Sequence, residues 1–307
     1  MNPAVLLNAL PGAVSQGLIW GIMAIGVFIT YKILDVADLT VDGTMCTGGA
    51  VFIMATMAGM PIPVALLLAF LSGMAAGLVT GLFHTACGIP AILAGILTQL
   101  ALYSVNLRIM GKSNQPINAD NYRLLVSSRN VKVLGLENPI LVVGILVVVT
   151  IAVLYWFFGT ELGSSLRATG SNPNMARAQG INTDFTKVLG LMLSNGLVAL
   201  SAALLAQYQG FADVSMGRGA IVIGLAAVII GEVIFGKVFR NFALKLLSVA
   251  IGSIIYYAVY QLVIWLGLKG DDMKLITALI VAVFLAIPYW KGKYFAKPVK
   301  KGGVKNA

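Results

Sequence analysis

Apolar stretches long enough to cross a bilayer follow one another along nearly the whole chain, and few folds are compatible with that pattern. A helix needs roughly 20 mainly apolar residues to traverse the hydrocarbon core. About nine runs approach or exceed that length: approximately 4–31, 44–58, 61–86, 90–110, 138–158, 185–208, 217–235, 242–268 and 273–290. Only 10% of the 307 residues are charged and 59% are hydrophobic, whereas soluble domains carry about 25% charged residues. The chain therefore takes a bilayer as its solvent. The pattern predicts an all-α polytopic membrane protein of about 8–10 transmembrane helices, forming a single domain over 1–307. The run 44–58 is short for a span and reads as a re-entrant or broken helix. Pro11, Pro61, Pro63, Pro90 and Pro139 mark helix starts or kinks, because proline lacks the donor that an interior helical turn needs.

The formal net charge is +10. The basic residues sit in short connectors and in the tail 291–307, so retention of positive loops on the cytoplasmic side explains them better than nucleic acid does. With the tail inside, segments 159–184 and 236–241 are cytoplasmic, while 111–137, 209–216, 269–272 and the N-terminus are external. The bias is modest, because Arg108, Lys112, Arg123, Arg129 and Lys132 fall in or beside an external loop. Met1–Leu10 has no basic residue ahead of its apolar run and reads as the first membrane helix rather than a cleaved signal. Cys46 and Cys87 lack metal-ligand spacing and read as buried thiols.

Gly73, Gly77 and Gly81 recur every four residues on one helical face. In lipid, helix association depends on close backbone approach, so this stripe predicts a packing seam, within the bundle or between two copies. Two other stretches echo each other: Ala37-Asp38-Leu39-Thr40-Val41-Asp42-Gly43-Thr44 and Ala212-Asp213-Val214-Ser215-Met216-Gly217-Arg218-Gly219. Each opens an apolar helix, the first from the cytoplasmic side and the second from outside, which is the arrangement of an inverted repeat. Each Asp-x-Ser/Thr also fits a helix N-cap. The polar residues Asp38, Thr40, Asp42, Asp213, Ser215 and Arg218 lie where the repeats should meet and are the expected substrate path.

Segment 159–184 is long for a connector and carries its own helix punctuation. Asn172 suits an N-cap, Pro173 the first helical position and Gly180 the C′ position, predicting a helix over 173–179. Two turns are not stable alone in water, and the face of Met175, Ala176 and Ala178 beside Arg177 and Gln179 is only weakly apolar. A protein partner is the better explanation.

The run Leu166-Arg167-Ala168-Thr169-Gly170-Ser171-Asn172-Pro173, then Ala176-Arg177, Gly180-Ile181-Asn182 and Leu193-Ser194, resembles the cytoplasmic loop of ABC importer permeases of the branched-chain amino acid/ribose type. Asp38–Gly43 similarly resembles a segment of that family near its second helix. Asp42 before the glycine and Asn195 in place of a frequent glycine depart from the pattern. The resemblance implies a homodimer or pseudodimer of permeases around a central path in a bacterial inner membrane. It further implies ABC ATPase subunits that hold ATP and magnesium, and an extracytoplasmic substrate-binding protein; no cofactor is implied for this chain. Carried over residue by residue, Asn172, Pro173, Ala176, Arg177 and Gly180 form the segment that contacts the ATPase. The systems it looks closest to are assigned to aromatic amino acids.

Gly231 to Lys237 satisfies most of a phosphate-binding loop, but Val238 cannot supply the magnesium-binding hydroxyl and the run ends a membrane helix. Energy must then come from a partner ATPase. Glu232, near the cytoplasmic end of its segment, is expected to pair with Lys237 or Arg240. His84 has no neighbouring cluster that suggests a metal. Ser194, Asn195 and Ser201 read as interhelical hydrogen-bonding groups, and no nucleophile–base set is visible. An ion-coupled secondary transporter is the competing class; it would need a paired acid or relay deep in the membrane.

Overall fold

The computed structural model describes residues 3–266 apart from 119–121, 123, 133–134, 136–137 and 237, together with 275, 278–279, 281–283 and 286. Helix α1 (Pro3–Phe28) continues as a π-helical turn, Ile29–Ile33. Then come α2 (Val41–Met57), α3 (Ile62–Thr85), α4 (Ala91–Met110) and α5 (Pro139–Gly159). Two short helices follow, α6 (Glu161–Ser171) and α7 (Pro173–Ala178), before α8 (Thr183–Gln209), α9 (Ala220–Phe235) and α10 (Phe242–Trp265). Six of these, α1, α3, α4, α5, α8 and α10, are long and apolar enough to span a bilayer. The protein is thus an all-α, multi-pass membrane protein. The expected ninth run, 273–290, lies mostly outside the described residues, and the tail 291–307 entirely so.

Local signals account for the helix boundaries. Asn138 accepts a hydrogen bond from Ile140 N ahead of Pro139, and Asn182 accepts from Asp184 N and Phe185 N, satisfying donors that the first helical turn leaves free. At the other ends, Gly111 and Gly210 adopt left-handed conformations that stop α4 and α8.

One end of the bundle carries α6 and α7 and is called here the loop end. His84, near the end of α3, lies beside Lys187 near the start of α8 there. The opposite end carries a small antiparallel ribbon, β1 (Asn114–Pro116) on β2 (Phe211–Asp213), in which Asn114 faces Asp213. Hydropathy gave no sign of this ribbon; it pairs backbone left unsatisfied where the chain exits α4 and α8.

The centre is formed by α1 and α8. Their most apolar windows are 78% and 72% buried, against 28%, 22% and 22% for α3, α4 and α5. Each central helix is embraced by the other half of the chain: α8 packs on α2 and α3, while α1 packs on α9 and α10. In both halves a long helix ends, the chain turns back into the bundle (34–40 and 211–219), and a short helix runs out again. At 17 and 16 residues, α2 and α9 are about 25 Å long, short of the ~30 Å hydrocarbon core. Of the two expectations, a re-entrant or a broken helix, the structure has the broken one, and it has it twice: α2 leaves at the ribbon end and α9 at the loop end. The first echo stretch is not at the cytoplasmic surface as its sequence position suggested. Asp38 and Thr40 are buried, at 1% and 0% exposure.

The glycine stripe of α3 lies against α8 of the same chain, not against a second copy. A Cβ added at Gly73 would run into the Asn195 carbonyl, at Gly77 into the Leu191 carbonyl, and at Gly81 would come within 3.0 Å of the Val188 Cα. Hydroxyls stitch the two central helices together: Ser194 Oγ donates to Gly26 O at 2.7 Å and Ser201 Oγ to Ile19 O at 2.7 Å. Such bonds contribute roughly 0.6–2 kcal/mol each in membranes. Replacing Gly77 with Leu should destabilise the fold by about 3 kcal/mol or more, since neither backbone can yield. Gly144→Leu on α5, where an added Cβ meets nothing within 4 Å, should change little. Thermal unfolding in detergent compares the two, and indistinguishable melting would refute the seam.

Candidate functional site

Two short helices that begin inside an apolar bundle leave their first backbone N–H groups without water, and carboxylates supply the missing acceptors. Asp38 Oδ1 accepts from Thr40 N at 2.9 Å, and its Oδ2 accepts from Asn195 Nδ2 at 2.7 Å. Asn195 lies about 18 Å along α8 from the loop end, at 1.5 Å per residue. Asn195 Oδ1 in turn accepts from Thr44 Oγ1 at 2.7 Å. Thr40, Thr80 and Thr98 form a hydroxyl chain, at 2.7 and 2.9 Å, that ties α2 to α3 and α4.

Asp42 crosses between the halves. Its two oxygens accept from Gly219 N at 2.9 Å and Ile221 N at 3.0 Å, so it caps α9 from 177 residues away. Gly219, at φ +85°, makes the turn into α9. Both capping carboxylates thus come from the first half.

Asp213 and Ser215 do something different. Asp213 caps its own turn, accepting from Ser215 N at 2.7 Å and from the Ser215 hydroxyl, while Asn114 Nδ2 on β1 donates to it at 3.2 Å. Partial burial alone would raise its pKa, but these hydrogen bonds and the Arg218 charge hold the carboxyl below the usual range. The six residues expected along the path therefore fall into three places: Asp38, Thr40 and Asp42 in interior hydrogen-bonding roles, of which Asp42 caps α9, Asp213 and Ser215 in a turn at the ribbon end, and Arg218 on a groove.

That groove has a volume of about 750 Å³ and occupies the ribbon-end half of the face made by α1, α9 and α10. It is lined by Gln16 and Trp20 of α1, by Arg218, and by Tyr256, Tyr257, Tyr260 and Gln261 of α10. The other exposed helix faces are plainly apolar, carrying Leu67, Leu71, Leu97, Leu100, Ile145 and Val149, as lipid contact requires. An exposed arginine in the turn ahead of α9 and partly exposed glutamines on α1 and α10 instead indicate a water-filled cavity or a protein interface. Sequence reading missed all of these except Arg218. Their signal was the spacing: 16 and 20, or 256, 257, 260 and 261, fall on single helical faces.

At the loop end of the same face, Lys32 Nζ pairs with Glu232 at 2.8 Å, both side chains about half exposed. Among the described residues the partner of Glu232 is Lys32, on the turn that continues α1, and not Arg240; Lys237, the other expected partner, lies outside the described residues. The glycines of the phosphate-loop-like run are helical or helix-terminal backbone, with Gly231 packed inside α9 on the Ser248 carbonyl.

The loop holds two helices, of which the sequence predicted one. In α7, Asn172 caps Met175 N at 3.0 Å, Pro173 opens the helix and Gly180 closes it at φ +82°. Ala176 is buried, and Arg177 binds Thr183 Oγ1 at 2.6 Å and Asp184 at 3.2 Å, so α7 is fastened to the start of α8. The preceding helix, α6, lies on the end of α1: Gly170 seats directly on the Ile33 backbone, with no room for a Cβ. Chain immediately beyond that contact is the broken segment, where Asp35 sits at φ +55°. Displacement of α6 and α7 would therefore bear on the segment that carries Asp38.

If Asp42 caps α9, Asp42→Ala should cost about 1–2 kcal/mol and speed amide exchange at 219–223, while Asp42→Asn retains much of the protection. Hydrogen exchange followed by mass spectrometry reads this; unchanged exchange in Asp42→Ala would remove the cap.

The chain is 41% identical over 280 residues to a tyrosine transport system permease protein of Clostridioides difficile, covering 91% of each. It is 31% identical over 183 residues to the autoinducer 2 import system permease protein LsrC of Yersinia pestis, covering 59% of this chain and 50% of that one. Its fold matches a chain of PsaBC from Streptococcus pneumoniae, solved in complex with Fab, with a TM-score of 0.54 at 17% identity over 95% of this chain and 100% of that one. Residues 10–288 match the family described as the branched-chain amino acid transport system permease component, and the chain belongs to that family of ABC importer permeases.

Proposed function

We propose that this chain is the membrane-spanning, non-catalytic subunit of a binding-protein-dependent importer in a bacterial inner membrane. Two copies pair around the substrate path, ABC ATPases dock on the loop end, and a binding protein delivers a small amino acid, of aromatic type, to the ribbon end. ATP and magnesium are held by the ATPase, and this chain needs no cofactor of its own. The loop end is then the cytoplasmic side.

The observation that carries this reading is the mechanical seat of the loop. Residues Asn172, Pro173, Ala176, Arg177 and Gly180 build a capped, exposed helix with Met175 projecting at 63% exposure. A pair of ATPases closing on ATP would push α7, and α6 would pass the push to Ile33 and Leu34 through its backbone contact at Gly170. Leu34 also packs on α8 at Gly190, so both central helices move together. The exposed Lys32–Glu232 pair spans α1 and α9 on the path face and would open as they part.

The name of the tyrosine transport relative supports the solute class, and the groove's arginine and glutamines support a polar one. A chain powered by an ion gradient would instead use a buried carboxylate that is free to exchange its partner. Both oxygens of Asp38 are engaged in capping and in the Asn195 contact.

Arg177→Glu sets a carboxylate against Asp184 and frees α7, whereas Met175→Glu alters only the exposed face of α7. Both should lower uptake of labelled L-tyrosine by at least about tenfold, as expected when a desolvated contact is lost, with unchanged amounts of chain in the membrane. Uptake at the normal rate in both variants, or uptake that survives ATP depletion under an intact ion gradient, would overturn the reading.

A further inference from the structure

The groove on α1, α9 and α10 carries more chemistry than a water path needs. Its wall is a continuous aromatic series: Trp20 to Tyr257 at 5.8 Å between ring centroids, Tyr257 to Tyr256 at 5.5 Å and Tyr257 to Tyr260 at 5.9 Å. Rings at such distances hold one another in place; Trp20, Tyr256 and Tyr257 are buried and back the groove, which leaves Tyr260 as the ring most open to it. Tyr260 is only partly buried and stands at the open side of the series.

Arg218 lies on the groove at the start of α9, exposed, and among the described residues no hydrogen bond or ion pair engages its guanidinium; Asp213 reaches it only as a nearby charge. The helix terminus beside it does not compete for an anion, since Asp42 already occupies the amides of Gly219 and Ile221. Guanidinium is suited to a carboxylate through two parallel hydrogen bonds. Among the described lining residues there is no carboxylate. An ammonium group can be met by the amide oxygens of Gln16 and Gln261 and by the faces of the rings. A volume of about 750 Å³ is within the roughly 300–1,000 Å³ range of small-molecule sites.

We propose that this groove is a binding station for an aromatic amino acid, with Arg218 holding the carboxylate and Tyr260, backed by Trp20 and Tyr257, taking the ring. The inference rests on the importer reading for its purpose but not for its test. An open channel lined this way would slow and select its solute, so that discrimination is exercised by the permease itself as well as by a delivering protein.

The test uses the full chain in lipid nanodiscs, without partners or ATP, and measures equilibrium binding of labelled L-tyrosine with tyramine and L-leucine as competitors. Tyramine lacks the carboxylate and leucine the ring. Each should compete at least about tenfold more weakly than unlabelled L-tyrosine, as expected for loss of a charge-assisted bidentate pair or of a stacked ring. Arg218→Gln should reduce L-tyrosine to the level of tyramine, with Arg218→Lys intermediate, and Tyr260→Leu should narrow the gap between tyrosine and leucine. Both side chains are at least partly exposed, and unchanged thermal unfolding verifies that the variants fold. Absence of saturable L-tyrosine binding, equal competition by tyramine, or full binding in Arg218→Gln would overturn the station while leaving the importer reading intact. Normal binding in a chain whose uptake ignores ATP would instead strike the importer reading alone.

Discussion

Everything in this structure depends on closing the backbone hydrogen bonds of two helices that begin inside an apolar bundle. A free amide in hydrocarbon costs several kcal/mol, so a membrane protein breaks its helices only where it can supply acceptors. Here the acceptors are carboxylates at the start of α2, one serving its own helix through Thr40 and one serving α9 through Gly219 and Ile221. The second of these couples the halves: Asp42 cannot shift without exposing the turn that leads into α9. The first is coupled to α8 through Asn195. The breaks are therefore part of the framework rather than loose points in it.

Around those breaks the bundle is held by proximity rather than by exclusion of water. Lipid offers apolar side chains an environment as favourable as the protein core, so small residues and hydroxyls carry the association. Gly73, Gly77 and Gly81 let α3 touch the backbone of α8, and Gly17 and Gly21 let α1 approach α10 in the same manner. The two contacts are counterparts in the two halves. Each central helix is gripped by helices from the other half, and neither half has its own complete packing partner.

The proposed function runs along one face of this frame. The ribbon-end half of that face holds the aromatic groove with Arg218, and the loop-end half holds the Lys32–Glu232 pair. Behind the pair lies the end of α1, on which Gly170 of α6 rests. A push on the loop has a short route to the face through packed backbone, which transmits displacement because close-packed interiors deform little. The polar groups near the centre of the bundle, Asp38 and Thr40, are not on the face. They hold in place the segment that the loop contacts.

Much of this was legible before any coordinates. Composition and run length determined the membrane class, the short second run announced a broken helix, and Asn172, Pro173 and Gly180 marked α7 almost to the residue. These are local matters, decided by hydrogen bonds a few residues apart and by the hydropathy of single helices. The paired Asp-x-Ser/Thr stretches also pointed to two opposed halves. Their division of labour was not legible, since whether an aspartate caps its own helix, as Asp213 caps its own turn, or another one, as Asp42 does, depends on which helices cross. Tertiary structure alone decided that α3 seals against α8, that Glu232 finds Lys32 across 200 residues, and that Trp20 meets Tyr257 beside Arg218. Contacts between helices leave only a faint periodic trace in each partner, and their pairing is set by shape and small-residue packing rather than by any local pattern.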